Sequence, residues 1–523
     1  MKKMIFLIFV SAVLVFSANP QSADDYFRVM GEIYFRFPVY PQIDLNKVSK
    51  IVSISKISND YVYAYASEKE FNEFLKTNIS FEILQHPGYL VNIDPALRFS
   101  KQLLSSYPSY PDYIEMMNNF HQQYPDICSL YEIGSTTNGR KILAVKITGL
   151  TDTFFKPKVF LTSTIHGNEP AGYMMMLYLI EDLLSGYGKN NNITEIVDRC
   201  EIWINPLANP DGTYWAGDDT VFGARRYNAN NVDLNRNFPD PQEGMHPDGN
   251  EWQLETIAMM NFADLMKPCL SANFHSGTEV VNYPWDTWER LHPDNDWFVY
   301  ISRKYADTVH LNSPEDYMNN FNNGITNGYS WYRITGGRQD YMNYFQYCRE
   351  ITIELSDDFF PSNPYVYWTY NRDALIGFIY QSLTGICGRV FCQEGEVVCA
   401  KVEIPGHDYD NSFVFSDGNS GKFFRLLLPE IYNLKFSAPY HYPLLLENVN
   451  VESGILTNVS VMLEHAEKGD PSADRVIDIE DVILCLKMAI GLVPEDLKSC
   501  DINGDTMIDI TDVILILRKA IGL

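Results

Sequence analysis

Residues 158–172 read KVFLTSTIHGNEPAG. The run from Val159 to Thr162 is short and apolar enough for a buried strand, and a turn follows at once. Gly167, Pro170 and Gly172 bracket His166 and Glu169, which stand three residues apart. In α/β sheets, ligands gather outside the carboxyl ends of the strands, so this turn sets an imidazole and a carboxylate where a site would form. Both are zinc ligands. Alone, the pair fits a surface turn better, and only a third ligand at another strand end separates the two readings. CLSANFHSG, residues 269–277, offers one: an apolar strand that ends in His275. Three protein ligands with a fourth position open describe a catalytic zinc rather than a structural one.

A hydrolytic zinc needs a base for its water and donors for the anion that develops. REITIELSDD, residues 349–358, places Glu354 among isoleucines and a leucine. A carboxylate in a core strand is costly without a task or a partner, and a buried salt bridge is the competing reading. ARRYNANNVDLNRNFPD, residues 224–240, packs three arginines and many amides into one irregular loop. The chain carries a net charge of −27, so clustered arginine implies an anion to hold, and guanidinium forks bind carboxylates through two bonds. A free carboxylate marks a chain end.

Outward from these motifs, KILAVKIT, KVFLTST, EIWINPL, LSANFH and EITIEL alternate with helical stretches across residues 105–383, the pattern of an α/β domain with a largely parallel sheet. Residues 24–95 form a small α/β unit, with RVMGEIYFRF and YVYAYAS as strands and EKEFNEFLKT as a helix, and a Pro/Tyr-rich connector follows. Residues 1–23 carry two lysines, an apolar run and then small residues, a signal peptide cut after Ala18 or Ala23. Export, with no membrane insertion after cleavage, is the expectation. The acidic charge argues against nucleic acid and anionic membrane as partners. Nine cysteines include a cluster at Cys387, Cys392 and Cys399, where a disulfide is expected, and the odd count leaves one thiol over.

From residue 384 to 464 the helices stop, and short strands such as GICGRVF, KFFRLLL and IYNLKFSA read as a β-sandwich. The tail, residues 466–523, repeats itself: DPSADRVIDIEDVILCLKMAIGL begins at Asp470 and DINGDTMIDITDVILILRKAIGL 31 residues later at Asp501. Oxygen-bearing side chains fall at loop positions 1, 3, 5, 9 and 12: Asp470, Ser472, Asp474, Asp478 and Asp481, then Asp501, Asn503, Asp505, Asp509 and Asp512. That spacing suits two calcium ions, although position 6 holds Arg475 and Thr506 instead of the usual glycine. The two helices are expected to pack through Val482, Ile483, Leu486, Val513, Ile514 and Leu517. The tail resembles type I dockerins, which bind calcium and dock onto a cohesin.

HGNE, ARRYNANNVDLNRNFPD, HSGTEVVNYPWD, FNNGITNGYSWYRITGGRQDYMNY and EITIEL, in that order, resemble the zinc metallocarboxypeptidases. More narrowly they resemble the branch with carboxypeptidases N, E and D, in which a transthyretin-like β-sandwich follows the catalytic domain. The resemblance implies a mixed eight-stranded sheet with flanking helices. It implies zinc on His166, Glu169 and His275, Glu354 as general base, and Arg226, rather than Arg225, at the oxyanion. Asn235 and Arg236 would grip the substrate's terminal carboxylate, and Tyr332 would close over it. Asp286, with Gln339 beside it, would receive a C-terminal lysine or arginine, unless Arg338 neutralises Asp286. The expected activity is removal of the last residue from peptides or proteins. A cell-wall peptidase acting on diamino-acid-ended stems is the alternative, and a dead binding module would have lost a ligand or the base. The N-terminal unit would be a pro-segment or a permanent domain.

Overall fold

The computed structural model describes residues 22–58, 60–90, 107–151 and 155–523. The signal-peptide reading falls almost wholly outside the described residues, as does the connector at 91–106. Among the described residues, no helix is long and apolar enough to cross a membrane.

The N-terminal unit is a four-stranded sheet, β1 (Glu32–Pro38), β2 (Ser53–Ile57), β3 (Tyr61–Ser67) and β4 (Glu82–Ile83), in the order β2-β3-β1-β4. Arg28 to Met30, expected to open a strand, instead finish the helix Ala23–Met30. Ser22 caps its start and Gly31, at φ 71°, ends it, so the apolar alternation begins only after the glycine. The helix Glu68–Leu75 begins at a Ser67–Glu70 capping box. Phe35, Phe37, Phe71 and Phe74 fill the core, and the same cluster takes in Tyr332 and Ile334 from the neighbouring domain.

That domain is built on β5 (Cys128–Ser135), β6 (Lys141–Ile147), β7 (Lys158–Ser163), β8 (Glu201–Asn205), β9 (Leu270–His275), β10 (Thr278–Tyr283), β11 (Ile325–Asn327) and β12 (Arg349–Ser356), in the order β11-β10-β12-β9-β7-β8-β6-β5. The sheet is mixed rather than largely parallel: β12, β9, β7 and β8 run parallel, whereas β5–β6, β6–β8 and β10–β12 are antiparallel. The strands that upset the parallel reading are β5, which is half exposed, and β10, which follows β9 after only Ser276 and Gly277. Alternate residues serve opposite faces. Val159 and Leu161 join the core under the helices Ala171–Gly186 and Pro364–Tyr380, and Phe160 joins the one under Leu254–Met266.

Residues 385–463 form two four-stranded sheets around one core, with Ile386, Val390 and Phe423 from one and Val402, Leu434 and Phe436 from the other. The longest strand there, His441–Asn450, carries exposed leucines, which hid it from a reading by alternation. Arg425 ties this unit to the larger domain by reaching Asp294 at 2.8 Å, while holding Asp408 of its own unit at 2.7 Å.

All nine cysteines are free thiols, contrary to the expected disulfide. Cys387 and Cys392 lie on one extended strand, Gly385–Cys392, where five residues span roughly 17 Å, beyond any disulfide; Cys399 is exposed.

In the tail, the helices Ile479–Ala489 and Ile510–Ala520 pack through Val482, Cys485, Met488, Val513 and Ile516. Ile483, Leu486, Ile514 and Leu517, expected in that contact, are exposed instead. Each helix is apolar on more than one side, and the face chosen is the one meeting Cys500 and Ile508. Arg475 and Thr506 sit at φ 72° and 71°, the left-handed region that glycine takes without strain.

Candidate active site

The parallel register sets the site. β9 pairs with β7 and β12, and Glu354 falls opposite His275. His166 and Glu169 follow β7 on the turn. Gly172 lets that turn close down: a Cβ there would stand 2.2 Å from Ser163 Oγ and 2.9 Å from Phe274 Cβ.

The ligand atoms converge. Glu169 Oε1 lies 2.9 Å from His166 Nδ1, Glu169 Oε2 lies 2.7 Å from His275 Nδ1, and the two Nδ1 atoms are 3.0 Å apart. His166 Nε2 faces Asp233 Oδ1 at 3.1 Å, so that nitrogen carries the proton and Nδ1 presents a lone pair. His275 Nε2 lies 2.9 Å from the Asn273 amide, whose Oδ1 is buried without a partner. Turning that amide lets Oδ1 accept from Nε2–H and frees His275 Nδ1 in the same way. Two imidazoles with backing acceptors and one carboxylate form the donor set of an open zinc site, and the residues fit the metal. Bound there, zinc supplies a Lewis acid and an activated water.

Burial raises the Glu169 carboxyl, but the charges and hydrogen bonds of His166 and His275 outweigh it and leave the pKa below the ordinary range. Burial pushes His275 down to about 4 against the opposing pull of Glu169, so the ring stays neutral, the form that ligates. Glu354 is ordered otherwise: burial, reinforced by the charge of Glu169, drives its carboxyl well above the carboxylate range. It forms no ion pair among the described residues, which removes the salt-bridge reading. Arg226 points into the site, with Nη1 at 3.2 Å from Glu169 Oε1 and Nε at 3.0 Å from Asp233 Oδ2. Arg225 turns away, onto the Trp215 ring and the Met30 carbonyl.

Arg236 adjoins this centre, buried, with Nε and Nη2 lacking partners. Asn235 is pinned by the Arg338 backbone N–H, which donates to its Oδ1 at 2.9 Å. At the floor of the same cleft Asp286 is buried, and Gln339 Nε2 donates to its Oδ1 at 3.0 Å. Burial raises the Asp286 carboxyl to about 6, with the Asn282 hydrogen bond and Arg236 opposing. The Arg338 guanidinium does not reach Asp286. It lies across the Phe160 ring and pairs with Glu350 at 3.1 Å.

The N-terminal unit covers all of this. Tyr332 Oη donates to the Ile54 carbonyl at 3.1 Å, and Ser53 Oγ donates to Asp233 Oδ2 at 2.6 Å. Glu32 accepts the backbone N–H groups of Arg226 and Tyr227 at 2.7 and 2.9 Å. With Ile54 and Ser55 lining it, the cleft keeps about 20 Å³, room for about one water and not for a residue. Sequence reasoning left Asp233, Asn273 and Asn282 without roles. Asp233 lies inside the arginine-rich loop, and Asn273 shares a strand face with His275, so a search for acceptors behind each histidine would have found both.

In the tail loops, Asp470 accepts the backbone N–H groups of Asp474 and Arg475, and Asp501 those of Asp505 and Thr506. Asp481 takes the Ser472 and Asp478 N–H groups, and Asp512 those of Asn503 and Asp509. Among the described residues, the acidic ligand atoms of neither loop converge to within 4.8 Å as the zinc set does. A second converging group, Asp294, His407 and Asp408, is already neutralised by Arg349 and Arg425.

A family model described as zinc carboxypeptidase matches residues 113–370. Mouse carboxypeptidase M is 35% identical over 338 residues, covering 61% of this chain and 75% of that protein. The mouse carboxypeptidase N catalytic chain is 32% identical over 377 residues, 64% of this chain and 81% of its own. Mouse carboxypeptidase D is 32% identical over 427 residues, which are 75% of this chain but 30% of that protein. Carboxypeptidase A from Helicoverpa armigera shares the fold at a TM-score of 0.51 and 17% identity, over 67% of this chain and 98% of its own. With the converging histidines and glutamate already in place, these likenesses establish that the chain belongs to the zinc carboxypeptidase family.

Proposed function

We propose that the protein is a secreted carboxypeptidase that removes C-terminal lysine or arginine, is held latent by its N-terminal unit, and is tethered through a calcium-binding tail. The observation that carries the substrate reading is one cleft with two unmet charges. Arg236 offers unpartnered guanidinium N–H groups, and Asp286 lies buried with no ion pair among the described residues. A peptide end brings a carboxylate for the first, and a basic side chain for the second. In this reading Glu354, held ionised beside a bound zinc, takes a proton from the attacking water and returns it to the leaving amine. Arg226 steadies the anion that develops on the carbonyl oxygen. Asn235 and Arg236 hold the terminal carboxylate, and Tyr332 folds over the substrate once it leaves Ile54.

Latency rests on the contacts of Ser53, Ile54 and Glu32, which occupy the ground the substrate needs. Residues 384–464 would be the transthyretin-like module and residues 466–523 the dockerin-like tail, with calcium in both loops and a cohesin-type domain as its partner. Support for docking comes from the tail's exposed residues: Ile479, Ile483 and Ile490 in one copy and Ile510, Ile514 and Ile521 in the other, each pair 31 positions apart.

Mass spectrometry of a peptide mixture before and after incubation tests the activity. Loss of a final lysine or arginine, one residue at a time, is expected, with peptidoglycan stems as a comparison. Internal cleavage, or removal of leucine ahead of arginine, would overturn the reading. His275→Ala should lose the stoichiometric zinc that the intact chain carries.

A further inference from the structure

Two of the nine thiols meet inside the tail. Cys485 lies on the helix Ile479–Ala489, and Cys500 ends the short helix Leu497–Cys500. Both side chains are fully buried. Both belong to the small core that joins the two repeats, among Val482, Met488, Val513 and Ile516. Each side chain hydrogen-bonds the other, so the two sulfurs are in contact. Cys485 falls one helical turn from both Val482 and Met488, on the buried stripe of its helix.

The backbone on either side of Cys500 is pinned. Its own N–H donates to the Asp496 carbonyl at 3.0 Å, and the Ser499 carbonyl accepts the Gly469 N–H at 2.8 Å. Lys468 Nζ donates to the Asp501 carbonyl at 2.5 Å. The sulfur is therefore held against Cys485 by fixed main chain rather than by a free loop. The positions 31 residues away are Ile516 and Gly469, so the repeat supplies this pair only once. Other buried thiols have different neighbours. Cys200 Sγ lies 3.5 Å from Ser382 Oγ, and Cys269 Sγ lies 3.5 Å from the Lys158 carbonyl.

Cys485 and Cys500 are free thiols in the structure. We infer that they are a disulfide site, and that the chain closes a bond between them when it folds in an oxidising medium. The inference stands on the placement of the pair and not on the export reading. The oxidant is an external disulfide. One cysteine thiolate attacks it, forms a mixed disulfide and displaces a thiol; the second thiolate then attacks the cysteine sulfur of that mixed disulfide and displaces the other thiol. One Sγ–Sγ bond forms, the reagent's S–S bond is reduced to two thiols, and the two cysteine protons end on those thiols. Because both sulfurs are buried, exchange occurs while the tail folds or opens, and the finished bond is shielded from reductant. Asp501, at the head of the second loop, directly follows Cys500. The bond would thus tie that loop to the helix that follows the first, in a unit whose core is small for one that must hold unaided.

The test produces the intact chain in an oxidising and in a reducing expression host. Remaining thiols are alkylated in denaturant, and the chain is digested with trypsin without reduction. Peptides 476–487 and 499–518, which carry Cys485 and Cys500, should appear joined and lighter by two hydrogens than their sum in the oxidised chain, and separately alkylated in the other. Cys485→Ser and Cys500→Ser should each abolish the joined species. Hydrogen exchange in Ile479–Ala489 and Ile510–Ala520 should be about 10²-fold slower in the joined chain, the effect of closing a loop of roughly fifteen residues. Both peptides separately alkylated after oxidising production, or either cysteine joined to a third, overturns the inference. If a serine variant folds poorly, the peptide map of the unmodified chain decides by itself.

Discussion

Replacing Glu32 with glutamine should unlock the intact chain while leaving every catalytic side chain in place. Glu32 is fully buried at the interface between the N-terminal unit and the catalytic domain. Its Oε1 accepts from the Arg226 N–H at 2.7 Å and faces His86 Nε2 at 2.8 Å, and its Oε2 accepts from the Tyr227 N–H at 2.9 Å. Glutamine has one oxygen for these two sides. Its amide N–H2 must face either the Tyr227 N–H or the Arg226 N–H, so one charge-assisted bond is lost and one buried donor is stranded. Together these cost about 3 kcal/mol, since hydrogen bonds to charged groups contribute roughly 1.5–3 kcal/mol each. Because both backbone donors belong to the catalytic domain, the loss falls on docking, and about 3 kcal/mol raises the undocked fraction by roughly 10²-fold. Initial rates on an Arg-ended peptide, with mass spectrometry confirming an uncut chain, should rise by a comparable factor in Glu32→Gln. The carboxylate also carries a pH signature. Burial raises its pKa, but the hydrogen bond and charge of His86, with Arg225, outweigh it and hold the group below its ordinary value of 4.5. A carboxylate lowered on folding stabilises the folded chain above 4.5, and that contribution is lost as pH falls through the folded value. The wild-type chain should therefore lose stability on acidification below 4.5, and the variant should lack that step. An intact variant no faster than wild type would refute the account of latency.

Glu354→Gln should keep its zinc and lose turnover by about 10²-fold or more, the range for a missing general base; near-normal turnover would make Glu354 structural. Asp286→Asn should reduce the rate on Arg-ended peptides far more than on Leu-ended ones. In the unmodified enzyme the Arg/Leu preference should fade as pH drops through about 6, where the Asp286 carboxyl takes up its proton; a ratio flat from pH 5 to 8 would count against it. The same carboxyl is raised from 3.8, so its ionisation destabilises the fold above about 6, by about 3 kcal/mol for roughly two pKa units. Asp286→Asn should accordingly raise the melting midpoint at pH 8 and not at pH 4. In the tail, chelating calcium should raise hydrogen exchange in Ile479–Ala489 and Ile510–Ala520 while β7 and β9 stay protected; equal exchange with and without chelator would remove calcium from the account.

The convergence of His166, Glu169 and His275 beside Glu354 was legible in the chain because each depends on local pattern: a short apolar strand, then a polar residue at or near its carboxyl end. Strand periodicity and turn residues act over a few positions, so His166, Glu169 and His275 could be placed without knowing what lay opposite. The same reasoning misjudged the sheet as largely parallel, because β5 is half exposed and β10 is separated from β9 by two residues. It also placed Ile483, Leu486, Ile514 and Leu517 in a helix contact that the fold makes with Cys485, Met488 and Ile516. A helix apolar on several sides does not choose its face; the surface it meets does. Only the tertiary structure settled that the Arg338 guanidinium turns to Glu350 instead of Asp286, and that Ile54 and Ser53 sit on Tyr332 and Asp233. Those contacts join residues up to 278 positions apart, and nothing in the local chemistry of either partner records them. Side-chain types and strand ends determine which chemistry the chain can perform, whereas the packing of separate surfaces decides whether the site is open, and to what.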